Sequence, residues 1–422
     1  MTISPVSLRL TGARLIDGTG AAPVPDAELH VDAEGRILFA GPAARAPVVA
    51  AAVTRDLGGR TLLPGFIDAH VHLGFDSGDG PFHDLTTDPV QVVFETGRRL
   101  EQTLHAGVTT ARDLAGLTLG HKAAVEQGLV MGPRLHTAVR IMSHTGGHSD
   151  FHLPGGHVKY HISAADEIAD TVDEVRTATR RLLRDGADVI KVCTTGGMSS
   201  PHDQPTDEGI TAEEIRAIRD EVDRHGGRPI AAHAQGTAGI IAALRGGVDS
   251  VEHAYGIDDE GIDLAGENGT FLVPTLSTVF TPLVKEHMRP FHYEKKVRWV
   301  EITRVNIARA IERGARFAMG TDSGICPHGR NLAELSHLVE LGMSPMDALR
   351  AGTAHAAELL RVDDRLGTLE AGKIADFVVA DVDPLADISA LGSPENVVVV
   401  AKAGRIAKDL LVSERVPVVA GA

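Results

Sequence analysis

The stretch Thr61–His72 reads TLLPGFIDAHVH and ends in two histidines that are separated by one valine. Residues two apart on a strand point to the same face, so His70 and His72 project together. Two imidazoles on one face can chelate a single metal ion. The stretch therefore predicts a buried strand, Leu62–His72, with a candidate metal site at its carboxyl end. Two ordinary histidines are the alternative interpretation of the triplet alone.

Seven more apolar runs follow, and segments with helical periodicity separate most of them, for example Thr211–His225 and Lys296–Glu312. Glu213 and Glu214 directly after Thr211 are typical of a helix start. Alternating strands and helices predict a parallel sheet. With the first, the strand candidates are Leu62–His72, Val108–Asp113, Arg134–Ile141, Asp188–Thr194, Pro229–Ala234, Asp249–His253, Thr270–Thr275 and Arg316–Thr321. Eight such units predict an α/β fold, a (β/α)8 TIM barrel, with a doubly wound open sheet as the alternative.

Both ends of the chain have a different pattern, in which short strand-like pieces alternate with turn signals such as Asp17-Gly18. The pieces are Leu8–Leu15, Ala27–Val31, Ile37–Ala40, Phe377–Val382, Val397–Lys402 and Gly404–Ala407. Neither end is long enough to form a stable sheet alone. We therefore expect the ends to pair in one small β-sandwich domain, residues 1–64 plus 372–422, around a barrel at residues 65–371.

Composition excludes several classes of protein. The chain has 422 residues and a net charge of −16, which argues against a nucleic-acid partner because phosphate binding needs clustered Lys and Arg. The N-terminus has no basic region followed by an apolar one, and no stretch reaches about 18 apolar residues, so we expect no signal peptide, no membrane segment and a cytoplasmic location. Cys193 and Cys326 are too few for a disulfide scaffold and are predicted to be free thiols.

Functional side chains of a barrel lie at the carboxyl ends of its strands. Besides the two histidines of the first strand, the candidates at such ends are Lys191, His233, His253 and Asp322. Imidazole and carboxylate suit Zn²⁺ and related metals, and the set is too large for one tetrahedral site, so we expect two divalent metals, Zn²⁺ first. Lys191 lies in an apolar run, where an ammonium is costly. Its head group either reaches the rim or is deprotonated and used in the chemistry.

This pattern resembles the amidohydrolase superfamily over essentially the whole chain. The resemblance rests on the six residues His70, His72, Lys191, His233, His253 and Asp322, and on the stretches TLLPGFID (61–68) and LGTLEAGKIADF (366–377). It implies that carbon dioxide carboxylates Lys191 on N6, and that this group bridges the two metals. It also implies the small β domain, and a homo-oligomer, because members of the superfamily often form symmetric assemblies.

Two shorter stretches, Val189–Lys191 and Thr145–His148, resemble one branch of the superfamily. That branch contains Xaa-Pro dipeptidases, N-acyl amino acid carboxypeptidases and ochratoxin-hydrolysing amidases, which release a C-terminal amino acid from an amide. The resemblance therefore implies an enzyme that cleaves C–N bonds in a small-molecule amide or dipeptide. The alternatives are a cyclic amide, as in imidazolonepropionases, a lactone or a phosphotriester, and an inactive protein that only binds metal.

The mechanistic hypothesis gives each residue a role. His70, His72 and Asp322 hold the first metal, His233 and His253 hold the second, and a hydroxide bridges both. Asp322 is the catalytic residue, which takes a proton from the nucleophile and passes it to the leaving amine. Candidate substrate contacts, each with simple packing or a loop position as the alternative, are His144, His148, Tyr160 and His328.

Overall fold

The computed structural model describes residues 6–77, 83–150, 167–281 and 290–411. The strands in these ranges are β1 (Val6–Leu15), β2 (Val24–Asp32), β3 (Ile37–Pro42), β4 (Ala51–Asp56), β5 (Thr61–Pro64), β6 (Phe66–Val71), β7 (Val108–Asp113), β8 (Arg134–Thr137), β9 (Ile141–Ser143), β10 (Glu167–Ile168), β11 (Ile190–Cys193), β12 (Ile230–Ala234), β13 (Ser250–His253), β14 (Phe271–Val273), β15 (Phe377–Ala380), β16 (Val397–Lys402) and β17 (Arg405–Asp409).

The helices in the same ranges are α1 (His83–Thr86), α2 (Pro89–His105), α3 (Leu119–Glu126), α4 (Val172–Arg184), α5 (Ala212–Asp223), α6 (Thr237–Gly246), α7 (Asp259–Asn268), α8 (Leu276–Phe280), α9 (Pro290–Glu312), α10 (Ala333–Glu340), α11 (Pro345–Ala351) and α12 (Ala354–Leu359). Helix α5 begins as the sequence predicts, because Thr211 caps the amide of Glu214 and Glu214 bonds back in a capping box. Among the described helices, none has both the length and the apolar character that crossing a membrane requires.

The two ends of the chain form one mixed sheet of eight strands. Its order is β17-β16-β15-β5-β1-β2-β3, and β4 pairs with β1. The N-terminal and C-terminal strands meet where β5 pairs antiparallel with β15, with Leu63 opposite Val378. Side chains such as Leu29, Leu62 and Phe377 form a buried core for this sheet. The prediction that both ends of the chain build a separate β domain is confirmed, as one mixed β-sheet.

The central strands are parallel and lie in two sheets, β6-β7-β8 and β10-β9-β11-β12-β13-β14. Residues 316–323 run between the sheets: the Ala318 amide donates to the Leu272 carbonyl at 3.1 Å, and the Ala69 amide donates to the Met319 carbonyl at 2.8 Å. On the opposite side, the Asp188 amide donates to the carbonyl that ends β8 at 2.8 Å. The carboxyl ends of these strands therefore face a common region.

The predicted strand Leu62–His72 is wrong as a single element. It breaks at Gly65 into β5, which joins the mixed sheet, and β6, which joins the parallel strands. A Cβ atom at Gly65 would lie 2.3 Å from the hydroxyl oxygen of Thr109, so the approach of β7 requires glycine at the break.

Two other predicted strands also differ. Arg134–Ile141 divides into β8 and β9, because Val139 between them has a φ of 66°. Arg316–Thr321 is not an assigned strand among the described residues, and forms one parallel bridge between Leu272 and Phe317. The amide of Asp322, which follows this segment, donates to the carbonyl of His70 in β6 at 2.7 Å.

Candidate active site

A cavity of about 740 Å³ opens at the carboxyl ends of the parallel strands. All six residues of the predicted ligand set line it: His70, His72, Lys191, His233, His253 and Asp322. Side chains that are separated by up to about 250 positions in the sequence therefore converge on one space.

The strand registers explain part of this convergence. His233 in β12 lies beside Cys193, the last residue of β11, and His253 ends β13 beside Ala234. Lys191 lies on β11 two residues before Cys193, so both point to the same face of the strand, and Lys191 is 2% exposed. Because neighbouring parallel strands end at the same level, their terminal side chains reach the same cavity.

His70, His253 and Asp322 form a possible metal site, since each offers one donor atom and these atoms lie within 4.8 Å of one another. The Oδ1 atom of Asp322 lies 3.5 Å from Nε2 of His70 and 3.3 Å from Nε2 of His72. Donors bound tetrahedrally to zinc at 2.0–2.1 Å are separated by about 3.4 Å. The separations of the Asp322 carboxylate from both histidines therefore fit ligands of one ion.

Hydrogen bonds fix which nitrogen each histidine presents to the cavity. His70 donates from Nδ1 to Oε2 of Glu252 at 2.8 Å, and His72 donates from Nδ1 to the Ala115 carbonyl at 2.9 Å, so both present Nε2. His233 uses the opposite nitrogen: its Nε2 donates to the Gly196 carbonyl at 3.1 Å, which leaves Nδ1 as the nitrogen available to a metal. Such outer partners orient metal-binding imidazoles and select their tautomers.

Glu252 and Arg112 are functional candidates that sequence reasoning missed. Arg112 donates to Oε1 of Glu252 at 2.8 Å, and the Ser250 hydroxyl donates to the same oxygen at 2.5 Å. Glu252 is fully buried and Arg112 is 1% exposed. The sequence carried a signal, because each is a charged residue inside an apolar strand and such residues need a buried partner. Their interaction places a fixed carboxylate behind His70.

Burial is the first cause of the lowered pKa values in this cluster. It holds the pKa values of His70, His233 and His253 well below the ordinary value, and the neighbouring positive groups, Lys191 among them, lower them further. His72 differs, since burial lowers its pKa but the hydrogen bond and charge of Asp322 outweigh this and raise it. Three imidazoles are therefore neutral, the form that metals bind.

The Lys191 amine is buried, and its Nζ has no hydrogen-bond partner among the described residues. Burial lowers the pKa of Lys191, and the negative charge of Glu252 opposes this effect only in part. An amine without partners is costly in a protein interior, whether charged or neutral. The observation fits a lysine that carries a further group in the working enzyme.

Three residues at this rim have left-handed backbone conformations that non-glycine residues rarely adopt: φ is 72° at His253, 46° at Thr275 and 59° at Asp322. A hydrogen-bond network joins two of them, His253 and Thr275. Nδ1 of His253 lies 2.7 Å from the Thr275 hydroxyl, which lies 3.0 Å from the hydroxyl of Tyr255. Strain of this kind is concentrated at functional sites and costs about 1–3 kcal/mol per residue.

The predicted substrate contacts have different positions. His148 lines the cavity, stacks on His233 with ring centroids 4.1 Å apart, and its Nδ1 lies 2.9 Å from Asp203 Oδ2. His144 and His328 are not among the described residues that line the cavity: Nδ1 of His144 bonds its neighbour's carbonyl, and Nε2 of His328 lies 2.9 Å from the Phe75 carbonyl. Tyr160 lies outside the described residues.

Both cysteines are buried free thiols, in agreement with the sequence prediction. Cys193 lines the cavity at the end of β11. Burial raises the pKa of the Cys326 thiol, whose Sγ lies 3.2 Å from the Thr321 carbonyl. A buried thiol with a raised pKa acts as a packing group rather than as a nucleophile.

Comparisons with known proteins show the family to which the chain belongs. Residues 61–407 match the Amidohydrolase family, so the chain belongs to that family. The chain is 34% identical to ochratoxinase from Aspergillus niger over 367 residues, which cover 82% of this chain and 75% of the relative. The predicted superfamily and branch are confirmed, and the chain is a hydrolase that acts on amide bonds.

Solved structures show the same fold. The crystal structure of the A. niger ochratoxinase has a TM-score of 0.85 and 31% identity, with 97% of this chain and 98% of that chain covered. A prolidase in complex with N-methylphosphonate-L-proline has a TM-score of 0.87 and 30% identity, with coverage of 95% and 99%. A Xaa-Pro dipeptidase with methionine in its active site has a TM-score of 0.85 and 29% identity, with coverage of 94% and 99%.

Proposed function

We propose that this protein is a binuclear metal-dependent amide hydrolase that releases an amino acid from a dipeptide or an N-acyl amino acid. The convergence of four histidines, Asp322 and the unpartnered Lys191 amine on one cavity carries the proposal. The similar proteins support the substrate class, since their names include ochratoxinase, prolidase and Xaa-Pro dipeptidase.

The donor set suits two divalent ions, with zinc first by ligand type. His70, His72 and Asp322 would hold one ion, and His233 and His253 the other. Bound ions would supply Lewis acidity and lower the pKa of water, so that a nucleophile is available at neutral pH. His253 lies close enough to His70 and Asp322 for the two groups of ligands to be adjacent.

Lys191 would join the two groups as an N6-carboxylated side chain. Its neutral amine adds to carbon dioxide, a C–N bond forms and one proton leaves, which gives a carbamate anion with two oxygen donors. Burial favours the neutral amine that this addition needs, because it lowers the pKa of Lys191. Carboxylation also provides an anion for a cavity in which the lysine otherwise has no partner.

Asp322 would act as the proton carrier. Its carboxylate lies against Nε2 of both His70 and His72, where it can accept the proton of an attacking water and deliver it to the leaving amine nitrogen. His148 would donate to the oxyanion that develops on the scissile carbonyl. Asp203 holds the His148 ring from Nδ1, which leaves Nε2 for the substrate.

The same proposal includes the finer architecture. Backbone hydrogen bonds between the two parallel sheets support their closure into a (β/α)8 barrel. These bonds are made by the amides of Ala69 and Ala318 on one side and by that of Asp188 on the other. We further propose that the terminal sheet folds as a sandwich domain of residues 1–64 and 372–422, with the barrel at residues 65–371.

The test is hydrolysis by metal-loaded enzyme, with metal content measured beforehand, of dipeptides and N-acyl amino acids that include proline and phenylalanine amides. A cyclic amide, a lactone and a phosphotriester belong in the same panel. We expect about two metal ions per chain and release of a free amino acid. Activity confined to the lactone or phosphotriester, or full activity in a preparation without metal, would contradict the proposal.

A further inference from the structure

Lys296 contributes a buried cation to the cavity wall from a part of the chain that the proposed mechanism does not use. It lies on α9, lines the cavity and is 8% exposed. Among the described residues, its ammonium has no hydrogen-bond or ion-pair partner, and because Nζ is not one of the unpartnered atoms that are fully shielded from solvent, the head group reaches the cavity. Lysine side chains normally keep their charge in water, so this position requires an explanation.

The preceding residue, Lys295, shows what a structural lysine looks like on the same helix. Its Nζ donates to the carbonyl of Gly197 at 3.0 Å and to that of Ser200 at 2.7 Å, and it also bonds the Asp203 carbonyl. These bonds tie α9 to the loop after β11. Lys296 has no such bonds, although it is equally buried.

The cavity offers Lys296 no spare counter-charge. Among the described side chains of its wall, the only carboxylate is that of Asp322, to which the proposed function gives a metal and a proton. Apolar side chains such as Phe75, Met198 and Ile325 line the same space and strengthen electrostatic interactions within it. A buried charge of this kind is stabilised when an anion arrives. Burial lowers the pKa of Lys296, and a bound anion would oppose that effect.

We propose that Lys296 binds a carboxylate group of the substrate and thereby restricts the enzyme to anionic amides. The inference rests on the proposed function, because it assigns the substrate class of that same cavity. An amino acid offers this chemistry from its α-carboxylate or from an acidic side chain. Lys296 is in this view a specificity-determining residue, which acts on substrate affinity rather than on the bond-breaking step.

The experiment uses metal-loaded full-length enzyme and two pairs of substrates that differ in one charge. N-acetyl-L-phenylalanine and its carboxamide vary the α-carboxylate, while N-acetyl-L-glutamate and N-acetyl-L-glutamine vary the side chain. We expect Lys296→Met to lower kcat/KM for the charged member of one pair by about 10- to 100-fold, through KM, because a hydrogen bond to a charged group is lost. The neutral member should be unaffected, and the affected pair identifies which carboxylate binds.

Two variants serve as controls. Lys296→Arg keeps the charge and should retain most of the preference, whereas Arg298→Met removes an exposed cation from the same helix and should change nothing. Equal hydrolysis of both members of each pair by the unmodified enzyme would overturn the inference even if Lys296→Met failed to fold. A Lys296→Met enzyme with an unchanged KM for the charged substrates would also overturn the inference. An equal loss of activity on charged and neutral substrates would overturn it too.

A binding measurement separates this inference from the proposed function. Free phenylalanine and glutamate are titrated calorimetrically into metal-loaded enzyme and into Lys296→Met. If the enzyme hydrolyses no amide, the proposed function fails, but weaker binding of either amino acid by Lys296→Met still supports a carboxylate site. Equal affinity of both enzymes for both amino acids contradicts the site, whatever the panel shows.

Discussion

His70 and Glu252 are joined by a hydrogen bond of 2.8 Å from Nδ1 to Oε2, although 182 positions separate them in the sequence. Arg112 and Ser250 bind the other carboxylate oxygen, so the glutamate cannot rotate away. The imidazole is thereby fixed with Nε2 toward Asp322. The candidate metal site depends on this arrangement as much as on the ligands themselves.

Replacement of Glu252 by Gln tests that dependence. The amide keeps the shape but removes the negative charge behind His70, so we expect metal affinity to fall about 10- to 100-fold. Competition with a chelator measures the affinity. Glu221→Gln is the matched control, because Glu221 is a buried glutamate of α5 that accepts a hydrogen bond from Arg180 of α4, outside the cavity. Unchanged metal affinity in the Glu252 variant would exclude a positioning role.

Replacement of Asp322 by Asn separates proton transfer from metal binding. The amide oxygen can remain near His70 and His72, but it cannot accept the proton of the attacking water. We expect kcat to fall about 10²- to 10⁴-fold while most of the metal stays bound. Turnover and metal content are measured on the same preparation, with the exposed Asp363→Asn as the control. Full retained activity would remove Asp322 from its catalytic role.

Replacement of Lys191 by Met should have opposite effects on stability and on function. In metal-free protein we expect the free energy of unfolding to rise by about 1–3 kcal/mol, because an unpartnered buried amine is replaced by an apolar chain. Metal content and turnover should be lost, and bicarbonate should raise metal content only in the unmodified enzyme. Denaturant unfolding measures the stability.

The matched variant for Lys191 is Lys295→Met. Lys295 is also buried but donates to the Gly197 and Ser200 carbonyls, so its loss should lower the free energy of unfolding. A Lys191→Met protein that binds metal normally and is less stable than the unmodified protein would contradict the assigned role of Lys191.

Sequence alone could predict which six side chains would meet in the cavity, because strand periodicity and strand ends are local properties. His70 lies on β6, His72 directly follows the last residue of that strand, and His253 ends β13. The partners of these residues could not be predicted. Glu252 and Arg112 are recognisable as charges within strands, but which side chain each one binds depends on how β6, β7 and β13 are placed together.

The fold was predictable to a similar degree. Repeated strand and helix patterns predicted the parallel strands and the paired termini, yet the break at Gly65 within one apolar run was missed. Both halves of that run are buried, so hydrophobicity does not distinguish them. The left-handed conformation of Asp322 was equally hidden, because aspartate adopts it more often than most other residues but only in a small fraction of cases, so the residue type does not mark the position.

Replacement of Gly320 by Ala tests whether close backbone packing positions His70. A Cβ atom at Gly320 would lie 2.3 Å from Cγ1 of Val273 and 2.8 Å from Cβ of His70, so β6 or β14 must shift. We expect the free energy of unfolding to fall by about 1–3 kcal/mol and metal affinity to fall with it, as His70 moves away from Asp322.

Gly266→Ala is the control: nothing lies within 4 Å of its added Cβ, and alanine favours the helix interior of α7, so stability should be kept or raised. Unfolding curves and chelator competition measure both effects, and a Gly320→Ala enzyme with unaltered metal affinity would show that His70 tolerates displacement of the neighbouring strand.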